Sequence, residues 1–111
     1  SPAFSAALLS TRASVSLTRA IQAAEFGNTA AAMAELDRAL ASHAAAGGGV
    51  PLPSGAGAAD TARLYRLFLQ NTELPADFGA LLALRDLLHM GTADAEALEA
   101  EVLSSGADFS I

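Results

Sequence analysis

Apolar residues recur along this chain at intervals of three and four, the spacing that lines up one face of a helix. The clearest stripe is Met33, Leu36, Leu40 and His43, which predicts a helix over about Thr29–Ala46. Before it, Phe4, Leu8, Val15 and Ile21, with Ala13, Ala20 and Ala24 as close-packing positions, mark a first helix over roughly Ala3–Glu25. Gly27-Asn28 stops that helix, because both residues tolerate left-handed backbone. Asn28 or Thr29 then caps the next. A third helix is expected over Ala58–Asn71, with Leu64, Leu67 and Phe68 facing one way. Leu74-Pro75 breaks it. A fourth, from about Pro75 to His89, carries Asp77 in its first turn and Phe78, Leu81, Leu82 and Leu88 on its apolar side. Met90-Gly91 ends it. Thr92 caps a fifth helix, Ala93–Ser104, with Leu98 and Val102 facing inward; Ser105–Ile111 reads as irregular.

Residues 47–57, GGGVPLPSGAG, contain five Gly and two Pro, the signature of a flexible linker between the second and third helices. Short connections at 27–28, 72–76 and 90–92 favour antiparallel neighbours. The expectation is one all-α domain spanning 1–111, an up-and-down bundle of four to five helices. Leu36, Leu40, Leu64, Leu67, Phe68, Phe78, Leu81 and Leu88 are its expected core.

Composition sharpens this picture. Ala occupies 28 of the 111 positions, while Val, Ile and aromatic residues are few, a balance that favours helix over sheet. Mean hydropathy is positive, but Ala produces most of it. The most apolar stretch, Ala39–Ala59, is broken by Gly47-Gly48-Gly49, Pro51 and Pro53, so no transmembrane helix is expected. Charge is uneven: residues 1–70 carry +1 and residues 71–111 carry −7. So acidic a segment repels phosphate backbones and anionic lipid, which argues against nucleic acid. It suits a basic protein partner, or simply a solvated face. Without Cys the chain needs no disulfide. Ser1-Pro2-Ala3 fits a processed mature end as well as an arbitrary boundary.

Candidate chemistry is sparse. There is no Cys, Lys or Trp, and the two His, His43 and His89, stand 46 residues apart. Each falls near a helix C-terminus, where an imidazole satisfies last-turn carbonyls and the helix dipole. No His-x-x-x-His, Glu-x-x-His or Cys pair supports a metal. Gly47–Gly49 cannot be a phosphate loop of the Walker type, which needs Lys. No Gly-x-Ser-x-Gly motif is present. No catalytic residue, metal ligand or cofactor is therefore assigned. The candidate partner contacts are two surfaces. One is the basic–aromatic run Arg63, Tyr65 and Arg66, with Asp60 as a partner for Arg63; Tyr65 lies off the Leu64/Leu67/Phe68 stripe and is expected at the surface as an interface anchor. The other is the carboxylate set Asp94, Glu96, Glu99 and Glu101. A single helix face cannot converge these on a hard cation, which leaves solvation or docking of a basic partner.

Gly27-Asn28-Thr29-Ala30-Ala31-Ala32-Met33-Ala34-Glu35-Leu36-Asp37-Arg38-Ala39-Leu40 resembles the second half of a tetratricopeptide repeat, with Gly27, Ala32, Leu36, Ala39 and Leu40 at the turn and packing positions. The preceding helix departs from that pattern at Ser16, Arg19 and Ala23, and no second copy follows, so the match describes a tight helical hairpin rather than an array. The overall plan is similar to the small extrinsic helical-bundle subunits of photosystem II, the PsbQ-like group. That resemblance, carried by architecture and by Ser1-Pro2-Ala3, implies a processed, non-enzymatic subunit in the thylakoid lumen, peripheral to a membrane complex. The functional expectation is a structural or docking subunit of a larger protein assembly. The alternative is a free-standing helical adaptor that binds a peptide.

Overall fold

The computed structural model describes residues 2–72 and 77–109. Within them the chain is an all-α bundle of five helices: α1 (Pro2–Glu25), α2 (Thr29–Ala45), α3 (Ala58–Gln70), α4 (Phe78–Leu87) and α5 (Thr92–Phe109). The expected break at Leu74-Pro75 lies outside the described residues. α5 continues to Phe109 through the segment expected to be irregular. The molecule is elongated, 56 × 28 × 21 Å, because α1 alone rises about 36 Å at 1.5 Å per residue.

α1 and α2 form the dominant pairing. Gly27, at φ +74°, makes the turn between them, and the Asn28 side chain accepts from the Ala31 amide at 3.1 Å to cap α2. The seam is built from small residues around one large one on each helix: Ala13, Leu17 and Ala20 on α1, Ala32, Leu36 and Ala39 on α2, all fully buried. Alanines let the two backbones approach closely. Ala13 and Ala20 thus hold the close-packing positions expected of them, and Ile21 and Ala24 pack against the core, but the larger residues expected with them nearer the N-terminus do not. Phe4, Leu8 and Val15 are 70%, 43% and 43% exposed, because they sit on the side of the helix away from this seam.

α3 and α4 cover one flank of the hairpin, and α5 packs on α3. α3 touches α1, α2 and α5, while α4 lies on α2. Leu36, Leu64, Phe68, Leu81 and Leu88 are buried as expected, with Leu40 and Leu67 half-buried. Leu17, Leu69, Leu84 and Leu87 join them. Phe78 and Leu82 do not, being 62% and 46% exposed. Asp77 caps α4 by accepting from the Gly79 amide at 3.0 Å, so Phe78 is the first helical residue. Its ring lies 5.8 Å from the Arg85 guanidinium carbon instead of in the core. α5 starts at Thr92 itself, and among its described side chains only Ala95 is fully buried. No described helix is long and apolar enough to cross a membrane.

Candidate functional site

The two candidate surfaces meet each other. α3 presents its basic–aromatic run toward α5, and the α5 carboxylates answer it. Tyr65, expected at the surface, has no exposed area. Leu64, Tyr65 and Phe68 all lie on the face of α3 that turns inward, so the buried stripe is one residue wider than the spacing of the leucines suggested. Its hydroxyl donates to Glu99 Oε2 and accepts from Arg85 Nε at 3.2 Å. Arg85 also donates to Glu99 Oε2 at 2.5 Å. Three helices thus close on one buried polar clasp. Arg66 Nε donates to Glu101 at 2.8 Å at the rim, and Arg63 pairs with Asp60 at 3.6 Å on its own helix. Asp94 and Glu96 remain exposed.

The electrostatics follow from burial and mutual contact. Burial raises the Tyr65 phenol, opposed by the Arg85 hydrogen bond and reinforced by Glu99. For Glu99, burial pushes upward, but the hydrogen bonds from Tyr65 and Arg85 and the charge of Arg85 together hold it below the ordinary carboxyl range. The Tyr65 hydroxyl and then Glu99 raise Arg85 further above its ordinary value. Each group is committed to the others, so the clasp fastens helices. Arg85 is the member of the clasp that the spacing argument missed. The signal was available: it is the one cation among residues 71–111, set in the apolar run FGALLALRDL.

The histidine side chains also differ from expectation. Neither imidazole bonds the last-turn carbonyls of its own helix. His43 is 3% exposed and its Nε2 lies 2.7 Å from Asp86 Oδ2 on α4. Its Nδ1 is buried with no hydrogen-bond partner, so Nε2 makes the ring's one polar contact. The His43 bond lowers the Asp86 carboxyl against the opposing cost of burial, helped by the Gly49 amide. His89, at φ +53°, takes the left-handed position after α4 that Gly or Asn usually fills. There Nε2 donates to the Val50 carbonyl at 2.6 Å. The two imidazoles thus fasten the 46–57 connection to α2 and α4, and Val50 is buried beneath it. Among the described residues no three His, Asp or Glu are grouped to hold a metal ion.

Two concave surfaces complete the picture. A cavity of about 540 Å³ opens between the 46–57 connection, α3 and α5. Leu52, Leu88, Met90 and Leu98 wall it, and Thr61, His89 and Asp94 are its polar side chains. A shallower groove of about 430 Å³ runs between α1 and α2 past Val15, Ser16, Ser42, Arg12, Arg19 and Arg38. No protein-family model, curated protein or solved structure matches the chain.

Proposed function

We propose that this chain is a non-enzymatic docking subunit of a larger protein assembly. The observation that carries the proposal is the second apolar face of α1. Phe4, Leu8 and Val15 share the outer side of that helix by their spacing, while Ala13, Leu17 and Ala20 form the inner seam. Exposed apolar residues sharing one helix side, here with Thr11 between Leu8 and Val15, are the kind of surface a partner covers. Arg12, Arg19 and Arg38 lie in the groove beside Val15 and supply charge for steering. In its sharpest form the assembly is a photosystem and the chain an extrinsic lumenal subunit, a version that rests on architectural resemblance.

Isolation of the native chain at low salt, followed by a salt wash, tests the proposal. The expected result is co-elution with a complex at low salt and release as salt screens the exposed charges over about 8–10 Å. Leu8→Glu and Val15→Glu should abolish co-elution while the helical circular dichroism signal persists. Elution as a free monomer at low salt defeats the docking proposal. The groove between α1 and α2 favours a second reading, a helical adaptor seating a peptide there. Binding of a short peptide by the isolated chain would select it.

A further inference from the structure

The cavity between the connection, α3 and α5 pairs an apolar wall with polar side chains of a single kind. Thr61 Oγ1 donates its proton to the Ala58 carbonyl at 3.1 Å, so it offers only lone pairs to the cavity. His89 Nε2 faces the Val50 carbonyl at 2.6 Å. A carbonyl cannot donate, so Nε2 carries the proton and is committed to that contact. Asp94 contributes a carboxylate. No Arg is among the lining residues, and the chain has no Lys. The positive ends of the α3 and α5 dipoles open nearby, but each helix carries an acid in its first turn, Asp60 and Asp94. A ligand entering here therefore meets side-chain acceptors and one full negative charge. An anion is repelled, and a neutral apolar body leaves the Asp94 and Thr61 acceptors facing it without a donor.

We propose that this cavity binds an organic cation, an apolar body that carries an ammonium or guanidinium group. The leucines and Met90 take the apolar part, and Asp94 and Thr61 accept from the N–H groups. Its volume of about 540 Å³ suits a small-molecule site, for which roughly 300–1,000 Å³ is usual. The same chemistry arises from a free amphiphilic amine or from a Lys or Arg side chain of a partner, whose stem is aliphatic. The inference goes beyond the docking role and does not require it.

The test is a titration of the isotope-labelled chain, followed by amide resonances, with n-hexylammonium, n-hexanol and n-hexanoate at equal ionic strength. A capped peptide with one Arg between two Leu forms a fourth arm. The cation should shift Ala62, Met90 and Ala97 and bind about tenfold more tightly than the alcohol, the effect of roughly one charge-assisted hydrogen bond. Asp94→Asn should remove that preference. Ala97→Phe, checked for native circular dichroism, should block every ligand. Tighter binding of the peptide than of hexylammonium assigns the site to a partner side chain, and the reverse to a free amine; both keep the cation chemistry. Equal affinity for the three hexyl compounds, preference for hexanoate, or shifts away from the cavity would overturn it. Because the isolated chain is used, failure here leaves the docking proposal standing, and a failed salt wash leaves this one standing.

Discussion

Deleting a single oxygen measures how tightly the buried clasp holds the fold. Tyr65→Phe keeps the fully buried ring and removes only the hydroxyl that donates to Glu99 and accepts from Arg85. A hydrogen bond to a charged group is worth about 1.5–3 kcal/mol net, so two lost bonds set an upper bound of roughly 3–6 kcal/mol. Two features reduce it. Arg85 keeps its direct bond to Glu99 at 2.5 Å, and the Glu99 side chain is 23% exposed, so water replaces part of the loss. A destabilisation of about 2 kcal/mol is expected, or roughly 8 °C in Tm at about 4 °C per kcal/mol for a domain near this size. Urea denaturation at neutral pH, read by far-ultraviolet circular dichroism, gives the value. Glu99→Gln, alone and combined with Tyr65→Phe, completes a double-mutant cycle, and a coupling energy of about 1 kcal/mol or more is expected. A Tyr65→Phe effect within about 0.5 kcal/mol of zero, or strict additivity in the cycle, would show that the three groups do not act as a unit.

Three further outcomes follow from the same structure. Glu99 and Asp86 titrate below ordinary carboxyls, so folding binds their protons more weakly than unfolding does; their contribution is full above about pH 4.5 and drains as pH falls through the lower folded-state values. Tyr65 is shifted upward, so its contribution is full below about pH 10 and drains above it; denaturation midpoints across pH should show both limbs. Gly48 is at φ +79°, and a Cβ there would meet Asp86 Oδ2 at 3.2 Å, whereas Gly47 at φ +86° has open space. Both Gly→Ala changes should cost about 1–2 kcal/mol of backbone strain, with Gly48→Ala the larger, and equal losses would remove the His43–Asp86 contact from the explanation. Finally, Leu17→Ala should cost about 3 kcal/mol and Val15→Ala under about 0.5 kcal/mol in denaturant melts; equal effects would mean that the outer face of α1 is not an outer face.

Helix number, order and most boundaries were legible because they depend on local signals. Asn28, Gly27, Asp77 and the 3–4 spacing of Met33, Leu36 and Leu40 each act within one or two turns. What was not legible depends on which side of a helix finds a neighbour. On α1 the larger side chains suggested the inner face, yet the alanine side wins, since close backbone approach buries more of Leu17 and Leu36 than Phe4 could on a wider seam. Tyr65 looked displaced from the stripe on α3 because the stripe was drawn through leucines alone. Its partners lie 20 and 34 residues away in sequence, beyond the reach of any periodicity. The pairing of His43 with Asp86 spans 43 residues and was hidden for the same reason. Each histidine, placed at a helix end, looked self-sufficient. The C-terminal charge excess also changes meaning once folded. Glu99, Glu101 and Asp86 each have an internal partner, so composition overstated the acid available to another molecule.

The seam between α1 and α2 also orders events in time. Its two helices are joined by a turn of three residues, so closing it confines a short loop and costs little chain entropy. Contacts that are local in sequence form quickly. During synthesis both helices emerge from the ribosome before α3 does, and chains elongate at only about 5–20 residues per second. The hairpin can therefore be complete while the rest is still being made. The later helices arrive at a finished template, and the last event is the capture of α5. That step needs Tyr65, Arg85 and Glu99 in place together, three side chains from three different helices.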